Sequence, residues 1–492
     1  MSDPPRARVG AAGQTPAVAE RWDAVVVGAG PNGLAAACTL ADAGRSVLVL
    51  EAASIVGGGA RTETLIEDGF RHDVCSAIHP MGAVSPAFRA LGLEREGLVW
   101  EHPEIALAHP RDDGPAAVVH RSLDATVAAL GGEDGRGYRR LIEPLVDRAE
   151  AILEDALRPV RAPRRPLLMA RFGLRALRST EGLSRAFLRS ERAQVLFGGV
   201  CAHARLPLDA PGTASFGLMM LMAGHVGGWP CARGGSIAII DAMVRRLTAR
   251  GGEVRVGHRV GSLGDVPPSK AILFDVSPRQ LLAIAGNALP RAYRDLLADF
   301  RHGAGSFKID WTLDGPIPWR DEACRRAGTV HVVGTWAELA ASERAVNEGK
   351  LSDRPFVLVA QQSVFDATRA PAGKHTGWAY CHVPHGSAVD ATERIERQIE
   401  RFAPGFRDLV RGRHVIAASQ YEAHDANMIG GDVGGGANDL GQILARPLLK
   451  WDPYATPNPR LFLCSASTPP GGGVHGMCGW NAAHSALRTT LA

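Results

Sequence analysis

The chain has 492 residues, is 46% hydrophobic and 22% charged, and carries a formal net charge of +4. That is the composition of a globular enzyme with more than one core's worth of chain, and the mild basicity gives no reason to expect a nucleic-acid partner. No run of about eighteen apolar residues occurs, so no membrane-spanning helix is expected. The eight cysteines show no C-x-x-C pair and no zinc-ligand spacing, which reads as reduced thiols in a cytoplasmic compartment.

Residues 1–20 are rich in Pro, Ala, Gly and Arg and read as a disordered leader, not a signal peptide. Trp22 to Glu51 then reads WDAVVVGAGPNGLAAACTLADAGRSVLVLE. Val25, Val26 and Val27 predict a buried parallel strand. Gly28, Gly30 and Gly33 supply G-x-G-x-x-G, Leu34 to Ala43 predicts a helix, and SVLVL predicts a second strand closing on Glu51. The order strand, loop, helix, strand, acid is a dinucleotide site. The glycines permit a tight turn, close approach to a pyrophosphate and close helix–strand packing, and the acid lies where a ribose diol is bound.

Gly57, Gly58 and Gly59 follow the acid, then Arg61 and Thr62. A second glycine cluster can bring another backbone segment to the same cofactor, with Arg61 pairing with a phosphate and Thr62 donating a hydrogen bond. The same residues also fit a flexible loop. Leu123 to Leu157 predicts a helical insert, and Arg158 to Arg192 is strongly basic with helical spacing. This basic stretch fits an ordinary solvated face, or peripheral contact with an anionic membrane surface through residues 161–192.

Ser215 to Gly228 is apolar and Met-rich, suited to core packing or to an adaptable apolar pocket that would include Met220. Gly234 and Gly235 precede a helix running to Arg250, and the strands EVRVGHRV and AILFDV return the chain to the first sheet. Beyond Pro290, SFKIDWTL, TVHVVG, PFVLVAQQSV, HTGWAYCHV and HVIAASQYEA predict strands of an antiparallel sheet, with a helix over 391–402 between them. The glycine-rich HDANMIGGDVGGGANDL, which contains Asn427, predicts a shaped, cavity-lining loop.

With GGGARTETL, GFRHDVCSAIHPM, GSFKIDWTLDGPIPW, NMIGGDVGGG and the terminal PGGGVHGM in view, the chain resembles the phytoene-dehydrogenase-related FAD oxidoreductases. It looks closest to the branch of pyridine nucleotide-disulfide oxidoreductase domain-containing protein 2, in the amine oxidase/carotenoid desaturase superfamily. The resemblance runs from Trp22 to the C-terminus. It implies an α/β fold: a Rossmann-type FAD-binding domain (21–110, 225–285 and 455–492) with an inserted α+β substrate domain (111–224 and 286–454). It also implies non-covalent FAD held by Gly28, Gly30, Pro31, Asn32, Gly33, Glu51, Ala52, Gly57, Gly58, Gly59, Arg61, Thr62, Val260, Ser465, Ala466, Gly472, Gly473, Val474, His475 and Gly476. Two departures stand out. The arginine follows three glycines and an alanine, and Ser465-Ala466 stands where the wider superfamily has Gly-Asp. The absence of paired cysteines argues against disulfide reduction.

The activity implied is dehydrogenation of an apolar small molecule, hydride passing to the flavin and then to oxygen or a quinone. An amine oxidase, a redox-neutral polyene isomerase and a non-catalytic FAD-stabilised binding protein are the alternatives. Lys308 alternates with Phe307 and Ile309 on its strand, and amine-oxidase relatives carry a lysine there that holds a water near the flavin. His79 and His475 are the other candidate catalytic residues. Trp480, Met220 and Asn427 are candidate substrate contacts.

Overall fold

The computed structural model describes residues 21–159 and 162–492; the expected leader lies outside them. Five short strands form a parallel sheet in the order Leu461–Leu463, Ser269–Phe274, Trp22–Val27, Val47–Leu50, Glu253–Arg255. All but the edge strand Glu253–Arg255 are largely apolar on both faces, because helices cover both. Ala24, Val26, Val49, Ala271, Leu273 and Phe462 face the helices Pro31–Asp42, Ile237–Ala249 and Met477–Arg488. Val25, Val27, Leu48, Leu50, Ile272 and Phe274 face the other way, towards Leu281, Ala285, Tyr293 and Leu297.

A second sheet of seven strands runs Val410–Ile416, Gly305–Leu313, His375–Val383, Val357–Ala360, Ala327–Val332, Ile105–His109, Ala117–Val119. All its pairs are antiparallel except 105–109 with 327–332. The two strands from residues 105–119 escape the sequence pattern because both are buried throughout and do not alternate. The mixed α/β fold class read from the sequence stands.

The described part of the basic stretch forms the helices Pro166–Ala176 and Thr180–Phe187; Ser179 starts the second, its Oγ accepting from Gly182 N. Two local expectations are corrected. HVIAASQYEA is strand only to Ile416, after which Tyr421–His424 is a helical turn. EVRVGHRV keeps only Glu253–Arg255 as strand. Among the described residues no helix is long and apolar enough to cross a membrane.

Candidate functional site

The first strand ends at Val27, and the chain turns through Gly28 to Gly30 into the helix Pro31–Asp42. Gly33 is required there, since a Cβ would lie 2.1 Å from the Gly28 carbonyl oxygen. Gly30 caps the helix without a side chain and Pro31 fills the first turn, so no side chain of the loop itself covers the positive helix end. Asn32 is buried beside it, and its Oδ1 has no partner among the described residues. Glu51 closes the second strand and accepts from Ala29 N at 2.7 Å and Ala53 N at 2.8 Å, with Ala52 between the two.

The second glycine cluster lies directly on the first. Gly57 N donates to Ala29 O at 2.9 Å, and a Cβ on Gly58 would come 3.2 Å from Gly30 Cα. Gly59 O accepts from Ser76 N at 3.0 Å. Arg61, expected to meet a phosphate, donates from Nε to Gly58 O at 3.0 Å and from Nη2 to His424 O at 2.5 Å. Thr62 donates to Asp73 Oδ1 at 2.7 Å. Val260 is buried in the core of the opposite sheet face, beside Leu48 and Leu50.

Sequence reasoning missed Asp275, the acid that ends the Ser269–Phe274 strand. Its Oδ2 accepts from Gly33 N at 2.8 Å, and a Cβ on Gly30 would meet that oxygen at 2.9 Å. Burial pushes its carboxyl up to about 8; the Gly33 N–H opposes this, and the nearby Asp425 and Glu51 add to it. The available signal was an acid closing a buried strand next to the first one. Asn427, expected at the substrate, uses its carboxamide on this strand end. Its Oδ1 accepts from Ser277 N at 2.8 Å and its Nδ2 donates to Asp275 O at 2.9 Å.

The terminal glycine loop reaches the first helix from the other side. A Cβ on Gly479 would lie 1.7 Å from Asn32 O, so the helix Met477–Arg488 packs on the helix Pro31–Asp42 at backbone contact. Gly476 (φ 66°) starts the terminal helix. Gly472 lies under Gly434, Gly473 lies against the His475 ring, and the Val474 carbonyl meets Gly82. At Ser465-Ala466 the neighbour is a buried arginine, Arg446, whose Nη1 donates to Ala466 O at 3.2 Å.

Both candidate histidines are held neutral. Burial brings each down to about 4. His475 Nδ1 accepts from Met477 N at 3.1 Å, which leaves its proton on Nε2. His79 Nε2 lies 2.8 Å from Ser236 Oγ, whose own proton goes to Ser76 O at 2.6 Å, so His79 is the donor. Trp480 and Met220 are half-buried against the same helical core cluster, and the Trp480 ring lies 4.2 Å from that of His484.

Lys308 is fully buried and ion-paired to Asp310, two residues along the strand and on the same face. Phe307, Ile309, Trp311 and Leu313 face a separate apolar core, as the alternation predicts. The register sets Lys308 opposite Tyr380 and Asp310 opposite Trp378. Trp378 and Tyr380 meet edge to face at 5.3 Å, with the lysine Nζ 5.8 Å from the Trp378 ring. Trp378 Nε1 donates to Asp73 O at 3.0 Å. This face therefore rests on the 73–78 segment, whose Ser76 is bonded to Gly59 of the second glycine cluster.

The same face continues into a row of buried histidines that the sequence did not flag. His382 Nδ1 lies 2.8 Å from Glu343 Oε2, and His331 Nε2 lies 3.3 Å from His203 Nε2. His109 is the next along. Strand parity alone could not group them, because that needs the strand order.

A match to the NAD(P)-binding Rossmann-like domain covers residues 26–91. The fold is thus of mixed α/β architecture with a Rossmann-like domain at its amino-terminal end. In its particulars the chain is similar to pyridine nucleotide-disulfide oxidoreductase domain-containing protein 2, being 25% identical to the Rattus norvegicus protein over 95% of this chain and 93% of that one. It is 28% identical to a phytoene dehydrogenase from Streptomyces griseus over 78% of this chain and 76% of that protein. Wild-type putrescine oxidase bound to putrescine shares the fold, with a TM-score of 0.61, 19% identity and coverage of 95% of this chain and 99% of that one. The resemblance read from the sequence therefore stands.

Proposed function

We propose that the protein is an FAD-dependent oxidoreductase that dehydrogenates an apolar small molecule, electrons passing on to oxygen or to another acceptor such as a quinone. The observation that carries this is the convergence of two glycine segments, 28–33 and 57–59, on one helix N-terminus, with Gly476 and Gly479 of the terminal segment packed against the same helix and a buried lysine–aspartate pair and two aromatic rings on the sheet face one segment away. The helix end, the Glu51 carboxylate and the orphaned Asn32 Oδ1 suit a dinucleotide's diphosphate and ribose. When bound, FAD supplies a hydride acceptor.

The chain's own residues then bind, orient and shield. Gly28 to Gly33 and Gly57 to Gly59 form the cradle. The packing of the terminal helix on the first helix, together with the buried His79 and His475 turns, excludes water from the far side. Lys308, fixed by Asp310, holds a positive charge on the sheet face, where it favours oxygen reduction. The half-buried Met219, Met220 and Trp480 supply adaptable apolar lining for the substrate. Residues 21–110, 225–285 and 455–492 are read as the FAD-binding unit and 111–224 and 286–454 as the substrate unit, except that the strand Ile105–His109 pairs within the second sheet and so goes with the substrate unit. Eight unbridged thiols suit a cytoplasmic setting.

A second reading, amine oxidation, is favoured by one observation. Trp378 and Tyr380 form an aromatic pair beside Lys308, which the terminal Trp480 by itself does not. Anaerobic mixing of the flavin-loaded protein with a panel of polyenes, other apolar hydrocarbons and amines decides between the two. Bleaching by an apolar hydrocarbon supports dehydrogenation. Bleaching by amines alone, with hydrogen peroxide released on admitting air, replaces it with amine oxidation. Purified protein that neither contains nor takes up FAD removes both.

A further inference from the structure

The Lys308–Asp310 pair has a neighbour that its own strand does not supply. The strand Val410–Ile416, the outermost of the seven, pairs antiparallel with Gly305–Leu313 and sets His414 directly opposite Asp310. Opposed residues share a face of the sheet and stand about 5 Å apart at Cβ. His414 Nδ1 accordingly lies 3.8 Å from Asp310 Oδ2, the oxygen to which Lys308 Nζ donates. Imidazole, carboxylate and ammonium can each give and take a proton, and here they stand in line.

The line runs from solvent to the interior. Lys308 and Asp310 are each 1% exposed, whereas 35% of the His414 side chain is open. Yet His414 Nδ1 is itself buried and has no hydrogen-bond partner among the described residues, and the same holds for Asp310 Oδ1. The imidazole thus spans the wall of the molecule, with an unpartnered nitrogen inside that faces a carboxylate. At 3.8 Å the two groups are one small side-chain rotation, or one bridging water, short of a hydrogen bond.

Three other groups face the pair from the segments packed on it, and none offers the same route. Burial lowers the proton affinity of His72, an effect that Asp310 opposes and Lys308 reinforces, and its Nε2 lies 3.4 Å from Trp311 O. His424 is brought down to about 4 by burial first and then by the charges of Arg61, Lys308 and His414. Tyr421, on the same helical turn, is buried and its hydroxyl is pushed well above its ordinary range. All three therefore stay in their neutral forms near pH 7.

Dehydrogenation removes a hydride and a proton from the substrate. The final acceptor, oxygen or a quinone, takes up the hydride equivalent and one proton. We propose that His414 is the solvent end of a proton path, His414–Asp310–Lys308, that delivers this second proton to the acceptor. Protonated His414 donates from Nδ1 to Asp310, and Asp310 passes a proton to Lys308 Nζ as Lys308 gives one up to the acceptor. The three charges are restored when His414 takes its next proton from water. The use of the path rests on the oxidoreductase reading above; its existence does not.

The chain has five lysines and Lys308 is the fully buried one, so its ammonium hydrogens can be followed separately by NMR of lysine-labelled, flavin-loaded protein. Their exchange with water should slow at least about tenfold in His414→Leu. After anaerobic reduction with dithionite, reoxidation in air should slow by a similar factor in His414→Ala. It should recover when imidazole is added, because the gap left at the edge strand opens to solvent. Should His414→Leu disturb folding, His414→Gln, which keeps a polar side chain there, carries the exchange measurement. Exchange at the wild-type rate in the variants overturns the proposal, as does slowed exchange with wild-type reoxidation. Slow reoxidation that imidazole leaves unchanged also overturns it, making His414 a packing residue. Protein that takes up no FAD removes the oxidoreductase reading but leaves the exchange measurement standing, so the two failures are separable.

Discussion

Asp275 puts a carboxyl against the loop that is to receive a diphosphate, and this is tolerable only while the carboxyl is neutral. Its folded-state pKa is raised from 3.8 to about 8, so its contribution to stability is full below about 3.8 and is lost as pH rises towards 8. Asp275→Asn keeps an acceptor for Gly33 N and removes the titration. FAD affinity, read by flavin fluorescence, should weaken in wild type as pH rises through about 8 and stay level in Asp275→Asn. Equal pH profiles would remove Asp275 from cofactor binding. Lys308 poses the complementary case. Lys308→Met strands a buried Asp310 carboxylate and should cost about 3–5 kcal/mol in denaturant unfolding. The double variant Lys308→Met/Asp310→Leu should recover most of that loss, yet reoxidise in air at least about tenfold more slowly than wild type. Lys308 was legible from strand alternation. Asp275 was not, because its partner Gly33 lies far away in sequence and meets it only through the parallel pairing of two strands.

The contact between the first and last helices is the most demanding junction between elements, since Gly479 has no room for a methyl group against Asn32 O. Gly479→Ala should force the helices apart, lower stability by about 1–3 kcal/mol or more, and reduce retained FAD measured by absorbance after gel filtration. Gly173, in the exposed helix Pro166–Ala176, has open space around its Cβ direction. Gly173→Ala should therefore stabilise by about 0.5–1 kcal/mol. The terminal glycines announced a loop in the sequence. Their spacing carried no information about which of them bears the close approach. Gly476 and Gly479 meet the first helix, whereas Gly472 is spent on packing under Gly434.

For the whole molecule, acid should be the damaging direction. His79, His475 and His424 are brought down to about 4 by burial, and His109 and His203 to about 3. A histidine whose folded pKa lies below its ordinary 6.5 gives stability that is full above 6.5 and lost as pH falls through the folded value. Asp275, Asp241 and Asp425, whose carboxyls burial raises, act in the opposite sense over part of this range, but the lowered histidines outnumber them, since His72, His225 and His331 are lowered by burial as well. Melting temperature should therefore fall steeply from about pH 6.5 downwards. A flat profile there would mean that these rings are solvated. Asp73, buried and held below the usual carboxylate range by Arg369, adds to the loss at lower pH.

The sequence by itself determined the elements whose pattern is local: the first strand–loop–helix–strand unit, the second glycine cluster, and the parity of Lys308 on its strand. These are statements about neighbours along the chain, where steric and hydrogen-bonding rules act over a few residues. Only the tertiary structure decided that Asp275 lies under Gly33, and that Trp378, Tyr380 and a row of histidines share the face of Lys308. Each of these depends on strand order or on helix-on-helix contact between residues tens to hundreds of positions apart, which no periodicity encodes.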